Sequence, residues 1–448
     1  MFEDQAGSSR TAMLHPDAVQ VSILGPRCVP SPLRLSNVEG DGLGNYVPDE
    51  CRVRYQWEVG PRATDQSEVL FEKAGPRETI FFAPPRSKAA IVTCGGLCPG
   101  LNNVIRSVYL ELHYNYGVRE VLGIRYGFQG LNPQSGLTPL RLSPAVVGDI
   151  HNEGGTILGS SRGPQPPDLM VDFLQQNEVN LLFCVGGDGT QRGARTIHEA
   201  ARHRGYPLAV VGIPKTIDND IPYVSRTFGF ATAMEKAKEV ITAAHNEAKG
   251  GPNGIGLVKL MGRDAGYIAA GAALASQDAN FVLIPEVPFP LDGQDGLLET
   301  LRRRLAERGH AVIVVAEGAG QHLLNCEGVE IDASGNRKHA DIGLFLRDRI
   351  GAFFSQAGVP VTLKYLDPSY LIRGVAANCT DALLCDALAR NAVHAAMAGK
   401  SDVLIGLWHD IFIHVPLALA VASKKHLSPE GDIWTAVLAS TGQPRGCG

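Results

Sequence analysis

The sequence predicts an α/β protein built as two Rossmann-like lobes, each a parallel-rich sheet wound by helices. Three observations predict it. From Lys88 onward, short β-rich apolar runs alternate with longer segments of helical period. The runs are apolar throughout and bounded by glycine, as strands covered on both faces are, and strand–helix alternation implies right-handed crossovers between parallel strands. Glycine-rich, aspartate-bearing turns collect at the ends of successive runs, where open parallel sheets bind their ligands.

The elements follow in chain order. Residues 1–86 are rich in Gly, Pro and charge and read as an extension wrapped over a core; FFAPPRSK closes it, with Pro84 and Pro85 breaking any regular element. The run AAIVTC then leads into the helical pattern NNVIRSVYLELHY, NLLFCV into TQRGARTIHEAARH, and LAVVGI into ATAMEKAKEVITAAH. IGLVKL, FVLIPE, AVIVVAE, VTLKYL and VLIGLW read as further strands. KGGPNG, residues 249–254, reads as the connection between lobes.

Composition narrows the function. The 448 residues carry 41 Lys and Arg against 46 Asp and Glu, a net charge of −5. No global cationic field is present to hold nucleic acid or an anionic membrane, so an anionic ligand must be met by a local cluster. Nine cysteines, an odd number with no CxxC pair, argue for reduced thiols rather than a disulfide framework or a zinc ribbon. The opening MFEDQAGSSR has no apolar core and carries two acidic residues, which points to the cytosol, with a plastid address left open. No apolar run approaches the roughly 20 residues that span a bilayer.

The chemistry gathers at strand ends. GGLCPGLNN (95–103) is a glycine turn running into a helix, either a phosphate cradle or a tight turn with no ligand. GGDGT (186–190) sets Asp188 among glycines, as a Mg²⁺ ligand or as a helix N-cap. GIPKTIDNDIP (212–222) delivers Lys215, Thr216, Asp218, Asn219 and Asp220, and three successive strand ends of this kind favour phosphoryl transfer over a merely solvated acidic loop. GGTILGSSRG adds Arg162, LMGRDAG adds Arg263, VVAEGAG adds Glu317, and LKYLDPSYLIRG adds Lys364, Tyr370 and Arg373. These cations suit a sugar phosphate and the carboxylate its hydroxyls.

In this order the motifs resemble the phosphofructokinase family over residues 70–415, and KAAIVTCGGLCPGLN and NGIGLVKLMGR most resemble its plant and algal ATP-dependent members. The resemblance implies a cleft site between two lobes: a nucleotide-binding lobe of 87–229 with 372–423, a sugar-phosphate lobe of 230–371, and a C-terminal tail of 424–448. It implies Asp218 as general base on the 1-hydroxyl of fructose 6-phosphate, with Lys215, Thr216 and Arg263 beside it and Asp220 flanking. Asp188 becomes the magnesium ligand, while Gly95, Gly96, Gly186, Gly187, Gly189, Thr190 and Arg162 take up ATP. Met261, Gly262, Arg263, Glu317, Tyr370 and Arg373 hold the sugar phosphate, with Lys364 as a further cation. A homo-oligomer is implied, a tetramer favoured.

Within the family, glycine after the GGD aspartate accompanies ATP and aspartate accompanies pyrophosphate, so Gly189 favours ATP; Lys215 occurs in both kinds. A pyrophosphate-dependent enzyme and a non-catalytic regulatory subunit stay as alternatives. Asp264 and Ala265 depart from the usual MGRYSG and are expected to weaken sugar binding if Asp264 faces the phosphate. Gly254 stands where bacterial members lend an arginine to a neighbouring subunit, and the bacterial effector-site arginines are matched only in part, by Arg106.

Overall fold

A computed structural model describes residues 14–58, 60, 68–324 and 339–444. The expectations that rest on the leader MFEDQAGSSR and on the thiols of Cys326 and Cys447 lie outside these residues. Among the described residues the largest sheet has nine strands, whose parallel centre runs Glu120–Ile124, Lys88–Thr93, Leu181–Gly186, Ala209–Pro214 and Val403–Trp408. The two inner strands Leu181–Gly186 and Ala209–Pro214 are buried along their whole length, which explains runs with no polar alternation.

Alternate residues of these strands feed two cores. Ile91, Phe183 and Val211 face helices Leu101–Leu110 and Cys379–Met397, while Val92, Leu182 and Val210 face Pro167–Gln176 and Asp188–His203. The extension does more than wrap: Arg52–Arg54 and Leu70–Lys73 continue the sheet antiparallel beyond Ile411–Pro416. A buried ion cluster fixes that junction, with Glu72 accepting from Arg77 at 2.8 Å and from Lys400 at 3.0 Å.

The chain leaves this sheet after Pro214, and helix Phe230–Lys249 carries it to a second, parallel sheet in the order Phe281–Leu283, His310–Ala316, Gly254–Leu260, Thr362–Leu366. It returns through residues 367–378 to helix Cys379–Met397. KGGPNG is therefore not the interlobe connection. It turns the chain from a helix into the strand packed on that same helix, so tightly that a Cβ on Gly254 would lie 1.9 Å from the carbonyl of Ala248. A Gly/Pro cluster marks a sharp turn, whereas the passage between lobes is an ordered loop held by side chains. The tail crosses back, its helix Asp432–Thr441 packing on Tyr267–Ser276 while the Gln443 amide pairs with the backbone of Val282 at 2.7 and 3.1 Å.

Candidate active site

The Ala209–Pro214 strand ends at Lys215, and the loop after it is fixed from within. Asn219 takes a left-handed φ of 54°, which asparagine tolerates, and its buried side chain accepts the Thr227 N–H at 3.1 Å. The Thr227 hydroxyl donates to the carbonyl of Thr216 at 2.7 Å. The Thr216 hydroxyl donates to Asp220 at 3.1 Å and accepts the N–H of Asp218 at the same distance. The Asp218 carboxylate is thus held on a rigid turn. Burial pushes its pKa up to about 7; Asp220 and Glu317 push the same way, and Arg263 and Lys215 oppose them. Glu317 and Arg263 come from the second sheet, so the ends of both sheets meet around this one carboxylate.

Cations converge on the GGLCPG turn. The Lys215 ammonium, itself buried and with its pKa lowered mainly for that reason, donates to the carbonyl of Gly96 at 2.6 Å. A Cβ on Gly96 would lie 3.0 Å from the Arg373 guanidinium and 3.5 Å from that of Arg162, and one on Gly95 would lie 3.3 Å from the Lys215 ammonium. Three cationic heads thus surround two residues that bring no side chain. The Gly95 N–H donates to the carbonyl of Ser161, which ties this turn to the loop bearing Arg162.

Gly187, not Asp188, is the N-cap of helix Asp188–His203. Asp188 sits at the first helical position, one oxygen paired with Arg192 at 2.7 Å and the other, Oδ1, buried with no partner. Burial raises its pKa while Arg192 and Lys424 oppose. A buried orphaned carboxylate oxygen beside a glycine turn fits a divalent cation, and Mg²⁺ commonly takes one or two carboxylates and leaves the rest of its shell to phosphates and water. Among the described residues no group of three His, Cys, Asp or Glu forms a metal cage. At Gly186 a Cβ would strike the Thr190 side chain, at Gly187 it would sit 3.4 Å from the carbonyl of Lys215, and at Gly189 it would meet nothing within 4 Å.

From the second sheet, Gly254–Leu260 runs into Met261, Gly262 and Arg263, where Arg263 has a φ of 49° and its N–H donates to Glu317 at 2.9 Å. The next loop comes so close that a Cβ on Gly318 would lie 1.9 Å from the Arg263 carbonyl. The Arg373 guanidinium lies 5.1 Å over the ring of Tyr370, which is exposed. Asp264 does not stand as an uncompensated charge. It is hydrogen-bonded to His339 and paired with Lys424, each at 2.9 Å, and these hold its carboxyl below the usual range, so the charge expected to weaken sugar binding has a counter-charge in Lys424.

Lys364 is not brought to this cluster. It is exposed on the edge strand at the register of Gly256, four residues short of Leu260, which is about 13 Å along a strand. It lies inside the strand Thr362–Leu366, two residues before the strand ends and the loop bearing Tyr370 and Arg373 begins. Gly254 is buried at the start of its strand, where no side chain fits, and Arg106 donates to the carbonyl of Gly148 at 3.3 Å. Lys424, Lys425, Arg192, Thr227 and His339 were not singled out from the sequence. Lys424 and Lys425 lie in the tail with no motif around them, yet the Lys425 N–H donates to the carbonyl of Asp220 at 2.8 Å.

Strand-end glycine turns, clustered cations and a carboxylate of raised pKa between two parallel lobes define an α/β protein with a site for phosphoryl transfer. A sequence model of phosphofructokinase matches residues 88–396. The chain belongs to the phosphofructokinase family. It is 49% identical over 411 residues to the ATP-dependent 6-phosphofructokinase of Borreliella burgdorferi, covering 90% of this chain and 92% of that one. It is 46% identical to the protein of the same name from Amycolatopsis methanolica, with 96% of each covered, and 47% identical to ATP-dependent 6-phosphofructokinase 7 of Arabidopsis thaliana, covering 86% and 78%. Among solved structures, the pyrophosphate-dependent phosphofructokinase of Marinobacter aquaeolei superposes with a TM-score of 0.65 over 81% of this chain and 92% of that one; at 21% identity it speaks for the fold alone.

Proposed function

We propose that this chain is an ATP-dependent 6-phosphofructokinase, moving the γ-phosphoryl group of ATP to the 1-hydroxyl of fructose 6-phosphate. The observation that carries the reading is Asp218, a carboxylate of pKa about 7 between Lys215 and Arg263 where the ends of both sheets meet. A base of that pKa is matched to removing a hydroxyl proton at neutral pH. The names of the relatives, which are ATP-dependent at 46–49% identity over most of both chains, support the same reaction.

In this reading Asp218 takes the proton as the sugar oxygen attacks; its backbone N–H donates to the Thr216 hydroxyl, and the Thr227 hydroxyl braces the same turn by donating to the Thr216 carbonyl. Lys215 and Arg263 offer positive charge to the transferring group, and the Lys215 ammonium is already held at the GGLCPG turn by its bond to the Gly96 carbonyl. The Gly95–Gly96 and Gly186–Thr190 turns bind the nucleotide with Arg162. Met261, Gly262, Arg263, Glu317, Asp220, Tyr370 and Arg373 hold the sugar phosphate. Asp188 is the residue that would hold Mg²⁺, which when bound neutralises the phosphate oxygens. The large-sheet lobe is the nucleotide side and the small-sheet lobe the sugar side, in a homo-oligomer, a tetramer favoured, that works in the cytosol. Among the described residues no helix is long and apolar enough to cross a membrane.

ATP rather than pyrophosphate follows from Gly189. The family resemblance ties glycine at this position to ATP, and no protein atom lies within 4 Å of where a side chain would begin, which leaves room for a nucleotide phosphate. The purified chain supplied with fructose 6-phosphate and either donor decides: product with ATP at least 100-fold faster than with pyrophosphate is expected, and the reverse order overturns the donor assignment. No turnover with either would leave a regulatory subunit.

A further inference from the structure

Behind the TIDND loop lies a second cavity, of about 660 Å³, which fits a small organic ligand. Phe230, Met234, Tyr267, Leu274 and Trp408 give it apolar and aromatic walls. Its polar lining is Asn219, Ser225, Arg226 and Lys425, and none of its lining residues is acidic. The Lys425 ammonium, half-buried, donates to the carbonyls of Val224 at 2.7 Å and Ser225 at 3.4 Å and lies 5.3 Å over the Tyr267 ring. None of the glycine turns, Asp188 or the Met261–Arg263 segment lines this cavity, which shares with the site described above only Asn219 of the TIDND loop and Lys425 beside it.

We infer that this cavity is an effector site for a small planar anion, an aromatic or heteroaromatic ring carrying a carboxylate, sulfonate or phosphate, and that its occupant acts on the loop that carries Asp218. The rings and Met234 supply stacking and sulfur contacts for a flat apolar body. Arg226 and Lys425, both in the lining, supply the positive charge. The coupling is covalent and short. Asn219, on the cavity wall, sits between Asp218 and Asp220 in the chain, and Lys425 on the same wall grips Asp220 through its backbone N–H. The Tyr267 hydroxyl donates to the carbonyl of His426 at 2.7 Å, so the tail that holds Lys425 is itself fastened to the cavity wall. A ligand that draws on the Lys425 ammonium pulls on the segment that positions the base.

The effect on turnover rests on the proposed kinase reading; the binding does not. The probe is 8-anilinonaphthalene-1-sulfonate, a flat aromatic sulfonate whose fluorescence reports binding to the full chain without any assay of activity. Saturable binding is expected that ATP and fructose 6-phosphate leave in place, weakened at least tenfold by Ala275→Trp, which fills the mouth, and by Lys425→Met, which removes the charge. At saturating dye the wild-type kcat or KM is expected to move at least twofold and that of Ala275→Trp to stay put. Displacement of the dye by either substrate, or equal binding to wild type, Ala275→Trp and Leu274→Trp, overturns the site. Binding localised in this way without any effect on turnover of an active enzyme overturns the coupling. Localised binding in a chain inactive toward fructose 6-phosphate leaves the site standing and removes the kinase reading instead.

Discussion

Asp218 concentrates the account at the scale of a single residue. Burial lifts its pKa to about 7, so the base is fully ionised only above neutrality, and kcat/KM for fructose 6-phosphate should rise with pH through about 7. The same shift has a cost in stability with a definite sign. The raised folded-state pKa means that the stabilisation is complete below the ordinary aspartate value of 3.8 and is lost as pH rises through about 7. An uncharged Asp218→Asn side chain escapes that loss, so the variant should melt higher than wild type at pH 8 and no higher at pH 4, read by thermal unfolding at the two pH values. Gly189 is the other residue on which identity turns. Gly189→Asp sets a carboxylate in the open space beside the glycine turn and should lower kcat/KM for ATP about 100-fold, or roughly 2.7 kcal/mol of transition-state binding, with the fold intact.

At the scale of elements, the site is a set of strand-end loops locked to one another. The Arg263 loop and the Glu317 loop approach to within a distance that only glycine at 318 permits. Gly318→Ala must displace one of them, so the KM for fructose 6-phosphate should rise about tenfold while that for ATP stays within twofold, because the glycine turns of the other sheet are untouched. These loops were legible in the sequence for a physical reason: each follows an apolar run, and glycine, aspartate or arginine in such a place has few structural uses. Lys424 and Lys425 were not legible, since a lysine pair in a tail looks like any solvated pair until the fold brings it to Asp264 and Asp220. Lys364 misled because closeness in the chain to Tyr370 and Arg373 does not show that it lies inside the strand Thr362–Leu366, short of the loop that carries them. KGGPNG misled because Gly and Pro report a sharp turn and say nothing about which bodies it joins.

At the scale of the whole molecule, function requires two sheets held in one arrangement. A continuous core does part of this, with Phe183 and Ile213 of the large sheet and Val258 and Val314 of the small one in the same apolar cluster as Ala237 and Ile241 of the helix between them. A buried polar clasp does the rest: Asp381, on the returning helix, accepts the Thr232 N–H at 2.7 Å and its hydroxyl at 2.6 Å. Asp381→Ala leaves both donors buried without a partner and should cost about 2 kcal/mol of stability, seen as a lower melting temperature. The central claim is that both lobes present their groups to one proton-accepting carboxylate, and Asp218→Asn tests it most directly, with kcat measured beside the affinity for fructose 6-phosphate in the same folded protein. The account predicts that kcat falls about 10³-fold while the sugar phosphate binds within a few-fold of wild type; turnover within tenfold of wild type would contradict it.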